Sequence, residues 1–265
     1  MKFYGIILLV GILCAFDCAN AKAQGPDQRV YHGDYNAVND VDRKTYPALV
    51  VVTDGASVLS NCTSNIISLN YVLTHLSCLD FEETATLVRT VSSIGFTGQY
   101  HETTILNVVQ ISDCIALGEL ANPFPATAGE FTPVALPPAD LALDEDCGVV
   151  DFTLAGYRDA DSNDDATVSS TVAFLGDFRK ICRSSCRPFY SVLSPTDVFC
   201  AQGQGDYAAC GADLGAGLVY QDTSVTPAQD KIYGILSENL GCGNNIAVYC
   251  FVPRYVEAIE GVIGA

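Results

Sequence analysis

Short runs of apolar and β-branched residues, separated by polar turns, recur along most of the chain. Such runs predict buried or half-buried strands. They cover Ala48–Thr53, Asn65–Leu69, Val72–Thr74, Ile105–Ile111, Val168–Phe174 and Lys231–Leu236. Helical periodicity is scarce until the end, where Val256, Ile259, Val262 and Ile263 share one face of a helix that begins near Pro253. The pattern predicts an all-β chain of two packed antiparallel barrels with a short C-terminal helix.

Residues 1–23 have the pattern of a secretory signal peptide. Lys2 supplies the positive end, Tyr4–Phe16 is an apolar run too short to span a bilayer comfortably, and Ala21-Lys22-Ala23 forms a small-x-small cleavage site. We therefore expect a secreted, extracellular protein. A membrane anchor is the alternative interpretation of the same run.

The cysteines and charges narrow the classes of function. Twelve cysteines are present, two of them within residues 1–23, and an even number in an exported chain predicts a disulfide framework. No C-x-x-C pair has the partner that a zinc site needs. The acidic run 158–165 begins like a calcium loop but has Asp164 and Ser170 where glycine and glutamate are required. We expect no metal and no cofactor.

The formal net charge is −18, with 13 Lys and Arg residues against 31 Asp and Glu residues. Such a surface repels phosphate backbones and anionic lipids, so we expect no nucleic-acid or membrane partner. It would attract proteins with a basic surface. Solubility alone is the other explanation for the charge.

Seven segments occur in the order and spacing of one protein family. They are Arg29–Gly33 (compare R-I-V-G-G), Tyr71–Cys78 (W-V-L-T-A-A-H-C), Ser112–Leu117 (N-D-I-A-L), Pro133–Pro137 (P-V-x-L-P), Cys210–Val219 (C-x-G-D-S-G-G-P-L-V), Gly234–Ser237 (G-I-V-S) and Val248–Tyr249 (G-V-Y). From about residue 30 onward the chain resembles the trypsin-like serine proteases. The resemblance implies two six-stranded antiparallel β-barrels with the active site between them. Residues 24–29 would then be a short propeptide, 30–265 the protease domain, and 122–138 the connection between lobes.

Three positions that carry the chemistry in that family have other residues here. Leu214 stands in place of the nucleophilic serine, Ser77 in place of the catalytic histidine, and Cys114 in place of the catalytic aspartate. An isobutyl group cannot attack a carbonyl, a serine cannot accept a proton near neutral pH, and a cysteine cannot present a fixed carboxylate. We therefore expect a catalytically inactive homologue, a pseudoprotease. His32, His75 and His101 are expected to be surface or loop residues, not parts of a relocated triad.

The former specificity pocket also departs from that of an active trypsin. By the resemblance, its base is Ala208 instead of aspartate, Ser237-Glu238-Asn239 replaces S-W-G on its wall, and Ala247 replaces a glycine. A glutamate and an asparagine on this wall should hinder an extended peptide from pairing as a strand. We expect a narrowed or filled cleft.

The structural residues of the family are better matched. The resemblance implies disulfides Cys62–Cys78, Cys186–Cys200 and Cys210–Cys242. For the remaining cysteines the hypothesis is Cys114–Cys250 and Cys147–Cys182, with four unpaired thiols as the alternative.

Two further features concern processing of the chain. Asp213 matches the acid that in this family receives the new N-terminus, which here would be Val30 after cleavage following Arg29; the alternative is an inherited residue without that role. Asn61-Cys62-Thr63 is a glycosylation sequon, which makes Asn61 a candidate site.

These observations predict a monomeric binding protein that acts as a decoy, cofactor or modulator in a protease cascade or in an immune or complement pathway. Its partner would be a protease, an inhibitor or an immune-cascade component with a basic surface. The alternatives are a residually active serine endopeptidase and a secretory or storage protein without a saturable partner.

Overall fold

A computed structural model describes residues 34–35, 44–53, 58–79, 85–91, 100–126, 131–141, 151–157, 173–186, 197–205, 207–209, 213–239 and 246–264. In these ranges the chain is all-β with two short helices. Its strands are β1 Asp34–Tyr35, β2 Pro47–Thr53, β3 Val58–Ser68, β4 Tyr71–His75, β5 Ala85–Val91, β6 Tyr100–Gln110, β7 Ile115–Leu120, β8 Asp151–Tyr157, β9 Ala173–Lys180, β10 Val198–Gly203, β11 Gly217–Asp222, β12 Gln229–Asn239 and β13 Ile246–Phe251. The helices are α1 Arg183–Cys186 and α2 Val256–Ile263.

The first lobe is a closed barrel with strand order β2-β3-β4-β7-β6-β5. It closes because β2 pairs antiparallel with both β3 and β5. Pro47 to Val52 is buried at every position, which explains why this part of β2 is a continuous apolar run without alternation. A closed barrel leaves no open edge in the first lobe.

The second lobe is a sheet with strand order β1-β9-β10-β13-β12-β11-β8 among the described strands. This sheet curls until β8 also pairs antiparallel with β9. Its core is aromatic, and the Phe199 ring contacts both Tyr233 and Tyr249, with centroid distances of 5.0 and 5.6 Å. The predicted all-β, trypsin-like fold class is confirmed, with one closed six-stranded barrel and a second sheet that curls until β8 meets β9.

A shared core joins the lobes. Leu73 and Leu117 of the first barrel pack in one cluster with Ile235 and Cys250 of the second lobe and Ile259 of α2. A 3₁₀ turn at Val252–Tyr255, with proline at its start, precedes α2. The predicted terminal helix is therefore present, and its buried Ile259 belongs to this core.

Three of the six predicted strands lie wholly within β2, β4 and β12, and the others overlap observed strands; β3 begins seven residues before the predicted Asn65. Residues 168–172 of the predicted Val168–Phe174 strand lie outside the described residues. So do the predicted signal peptide, the propeptide and the activation site. No helix in the described ranges is both long enough and apolar enough to cross a membrane.

A candidate site between the lobes

The segments that carry Ser77, Cys114 and Leu214 are in contact where the lobes meet. The Leu76 amide donates to the Cys114 carbonyl at 3.0 Å, and the Thr63 amide donates to the Leu214 carbonyl at 2.9 Å. Together with His75 and Ser237, we call Ser77, Cys114 and Leu214 the interlobe site. The fold thus brings together the three positions that the sequence singled out.

The His75 ring lies between two hydroxyl groups of the interlobe site. Ser77 Oγ is 2.8 Å from His75 Nδ1, and Ser237 Oγ is 3.3 Å from Nε2. The backbone N–H of Ser77 also donates to Nδ1 at 3.3 Å, so the imidazole caps the 3₁₀ turn Leu76–Cys78. A ring that accepts at Nδ1 carries its proton on Nε2 and can donate it to Ser237.

The surroundings of His75 favour its neutral form. Burial lowers the pKa of the imidazole below its usual value, because a charged ring would lose hydration. His75 contributes one atom to a group with the Sγ atoms of Cys114 and Cys250, and all three atoms lie within 4.8 Å of one another. Within the described residues, the hydrogen bonds of the ring go to serines and none goes to a carboxylate.

Cys114, which the sequence predicts at the position of the family's catalytic aspartate, is covalently bonded. Cys114, at the turn before β7, forms a disulfide with the buried Cys250 of β13, with a Cα–Cα distance of 6.2 Å. This bond connects the two lobes behind His75. A metal would need deprotonated thiolates, and these two sulphur atoms are bonded to each other. The group does not offer a zinc ligand set in this state.

The other described disulfides lie within one lobe. Cys62 is bonded to Cys78 and Cys186 to Cys200, with Cα–Cα distances of 5.9 and 6.1 Å. Cys182 is disulfide-bonded as well, so it is not a free thiol. The residues Cys147, Cys210 and Cys242 lie outside the described residues.

The loop around Leu214 is bonded to both lobes. Gly215 has φ +83°, and an added Cβ there would collide with Thr74 Oγ1 and the Thr63 carbonyl. The Gly215 amide donates to the Leu236 carbonyl at 3.0 Å. The half-buried Leu214 side chain packs on the first-lobe cluster that contains the Cys62–Cys78 bond. This loop therefore keeps a glycine-dependent turn while its central side chain makes apolar contacts.

Asn65 fixes the same loop, and the sequence gives no sign of it. The fully buried amide donates from Nδ2 to the Leu73 carbonyl at 3.1 Å and to the Gly215 carbonyl at 3.0 Å. Its Oδ1 accepts from the Gly217 amide at 2.9 Å. The role depends on contacts between residues 150 or more positions apart, which a single sequence does not reveal.

The remaining predicted site residues are dispersed around the interlobe site. Ala208, Ala247 and Asp213 are buried, and Glu238 is exposed. Asn239 pairs with Ala247 in the β12–β13 ladder, after an irregularity between Leu236 and Glu238. Asn61 is half-buried on β3. Val30, the predicted partner of Asp213, is outside the described residues.

Comparison with known proteins identifies the family. The family model described as Trypsin matches residues 38–259. The chain belongs to the trypsin family. Its fold is also similar to that of a solved structure described as "Structure of GrC", with a TM-score of 0.68 and 15% sequence identity over 88% of this chain and 99% of that chain. At this identity the likeness shows the fold alone. No curated protein matches the sequence.

Proposed function

We propose that this trypsin-family protein is a secreted pseudoprotease that binds another protein without cleaving it. The observation that carries the proposal is Leu214, whose loop has the glycine turn and the cross-lobe hydrogen bonds but presents an isobutyl group. Serine-protease chemistry needs a hydroxyl at this position, activated by an imidazole that a carboxylate orients. The disulfide of Cys114 removes even a titratable thiol from the position of that carboxylate.

The contact between Ser77 and His75 supports a second candidate function, residual hydrolysis. A hydroxyl 2.8 Å from a neutral imidazole is the first requirement of an activated nucleophile. Against it, the backbone amide of Ser77 shares the same ring nitrogen, and serine instead of a carboxylate contacts the other nitrogen. Loss of the orienting acid alone lowers kcat by about 10⁴-fold in serine proteases. The pair is better explained as a cap of the 3₁₀ turn.

Active-site labelling separates these two functions. Purified protein would be treated with a fluorophosphonate probe and, separately, with a peptide library, beside Ser77→Ala and His75→Ala variants and active trypsin. We expect neither labelling nor cleavage by any form except trypsin. Labelling that Ser77→Ala abolishes would show that Ser77 is a nucleophile and would overturn the pseudoprotease proposal.

The charge supports a basic protein partner, such as a protease, an inhibitor or an immune-cascade component. A chain of net charge −18 attracts basic surfaces over a distance that salt shortens to about 8 Å at physiological ionic strength. Affinity capture from the native fluid, followed by mass spectrometry, should retrieve a basic protein that elutes as salt is raised. Retention of no saturable partner would favour the storage interpretation.

Secretion and activation are tested together by N-terminal sequencing of the native protein. A mature chain that begins at Gln24 would support the signal peptide at 1–23. A second form that begins at Val30 would support cleavage after Arg29. Material that retains residue 1 would contradict both.

A further inference from the structure

The Cys114–Cys250 disulfide and the His75 ring together contain three donor atoms of the kind that bind zinc. One ring nitrogen and the two Sγ atoms all lie within 4.8 Å of one another, and this is the one such group of three in the described part of the chain. The two sulphur atoms cannot bind a metal as thiolates while they are bonded to each other. The chemistry of the group therefore depends on whether the disulfide is closed or open.

The spacing of the three donor atoms is close to that of a tetrahedral zinc site. With Zn–S bonds of about 2.3 Å and Zn–N bonds of about 2.0–2.1 Å, neighbouring ligand atoms lie about 3.5–3.8 Å apart. The His75 nitrogen is already within 4.8 Å of both sulphur atoms. After the disulfide opens, the two sulphur atoms have to separate by about 1.7 Å beyond an ordinary S–S bond length. Rotation of the two cysteine side chains about their Cα–Cβ bonds is enough for this change.

The backbone around the three residues has its own hydrogen bonds and does not depend on the disulfide alone. Ser112 Oγ accepts from the Cys114 amide at 3.2 Å. The Leu76 amide, next to His75, donates to the Cys114 carbonyl at 3.0 Å. Cys250 is fully buried in β13, which lies between β10 and β12 in the sheet. The three donors should therefore stay close together after the bond opens.

The His75 ring has a hydroxyl partner for whichever nitrogen does not bind the metal. Ser77 Oγ is 2.8 Å from Nδ1, and Ser237 Oγ is 3.3 Å from Nε2. Histidine ligands usually donate their second ring N–H to an oxygen atom, which fixes the ring and makes it a stronger ligand. The two serines provide this support for either tautomer.

Cys114 gives a reductant access to the disulfide. Three disulfides have both of their cysteines among the described residues, and of these six cysteines only Cys114 is half-buried. The other five are each 5% exposed or less: Cys62, Cys78, Cys186, Cys200 and Cys250. Thiol–disulfide exchange requires access to one of the two sulphur atoms. A dithiol should therefore open Cys114–Cys250 before the other two bonds.

We propose that reduction by a dithiol converts Cys114, Cys250 and His75 into a Cys₂His site for Zn²⁺. The dithiol gives two electrons to the disulfide and becomes a disulfide itself, which leaves two cysteine thiols. These thiols release two protons when Zn²⁺ binds, and the two thiolates neutralise the charge of the ion. Soft sulphur ligands favour zinc over calcium or magnesium. Water completes the tetrahedron, as in other zinc sites with three protein ligands.

The test begins with the full protein and one equivalent of dithiothreitol under argon. Alkylation with iodoacetamide and peptide mapping of one portion show which bond has opened, and near-UV circular dichroism shows whether the fold is retained. The reductant is removed from the rest, zinc is added, and the bound metal is measured after gel filtration, with Co²⁺ as a spectroscopic probe. We expect one zinc per protein with Cys114–Cys250 open, and a thiolate-to-cobalt charge-transfer band. The oxidised protein and the alkylated protein should bind no zinc.

Variants assign the metal to these three residues. Cys186→Ser/Cys200→Ser removes a disulfide elsewhere and should bind zinc like the wild type, whereas Cys114→Ser/Cys250→Ser should bind none. His75→Gln keeps the disulfide and should weaken zinc binding by more than about 100-fold, since loss of an outer-shell partner alone costs about 10–100-fold.

Four results would overturn the proposal. They are earlier opening of another described disulfide, no zinc in the opened protein, equal zinc binding by His75→Gln, and loss of the fold on reduction that zinc does not reverse. None of them depends on whether the protein binds the partner proposed above or cleaves a peptide, so this inference is tested separately from the proposed function.

Discussion

The two places where the lobes meet differ in how their polar groups are satisfied. In the interlobe site, the Cys114–Cys250 disulfide, the Leu214 side chain and the His75 imidazole lie together, and both ring nitrogens of His75 have a partner. In the segment before β2, the Tyr46 hydroxyl is buried and has no hydrogen-bond partner in the described part of the chain. Satisfied polar groups stabilise a structure, whereas a buried polar group without a partner lowers its stability.

The largest expected effect comes from opening the disulfide behind His75. The Cys114→Ser/Cys250→Ser variant should lose about 5 kcal/mol of unfolding free energy, because the bond closes a loop of 136 residues. The Cys186→Ser/Cys200→Ser variant, with a loop of 14, should lose about 3 kcal/mol. Urea denaturation measures both. Equal losses of unfolding free energy would show that the Cys114–Cys250 bond stabilises the protein no more than the Cys186–Cys200 bond does.

The next largest loss of stability is expected from replacing Asn65. Asn65→Leu should lose about 3 kcal/mol, since it leaves the Gly215 carbonyl and the Gly217 amide buried without partners. Asn107→Ala, which removes an exposed amide on β6, should change the stability by less than about 0.5 kcal/mol. Thermal unfolding of both variants provides the check. A tolerated leucine at position 65 would mean that the loop does not depend on this amide.

His75 should make the interlobe site sensitive to acid. Its folded pKa lies below the unfolded value of 6.5, so the unfolded chain binds the proton first as pH falls. The unfolding free energy should therefore be constant above this pH and decrease as pH drops from 6.5 through the folded pKa. His75→Gln should flatten this part of the profile. An unchanged slope in His75→Gln would contradict the effect of burial.

The smallest effect is expected at Tyr46. Tyr46→Phe should raise the stability of the protein by up to about 1 kcal/mol, because it removes a buried hydroxyl without a partner. Tyr255→Phe should lower it by about 1 kcal/mol, since that hydroxyl is hydrogen-bonded with Ser112 and Asp197. Calorimetric unfolding compares the two. Loss of stability in both variants would mean that water already completes the Tyr46 hydroxyl.

The sequence predicted the elements that have a clear hydrophobic pattern. It did not predict the elements that are held by buried polar groups. The apolar run of β2 and the periodic face of α2 predicted both elements. The first half of β3 was missed because its S-N-C-T-S stretch has no apolar pattern, although Thr63 and Ser64 are fully buried. Neither polarity nor period indicates that Ser64 Oγ donates to the Ala48 carbonyl at 3.1 Å.

The candidate sites show the same division. Motif spacing singled out Ser77, Cys114 and Leu214, whose segments meet in the interlobe site. It did not place the His75 ring there. His75 lies two residues before Ser77 in the chain, and the 3₁₀ turn that follows β4 brings the two side chains together.

The attachment of the Gly215 turn to the first lobe has an evolutionary consequence. Its hydrogen bonds run through backbone atoms and the Asn65 amide, and none uses the side chain at position 214. Mutation at that position can then alter reactivity while the surrounding architecture persists. A lineage could lose its ancestral chemistry in one step, keep a foldable protein, and leave selection free to act on other surfaces.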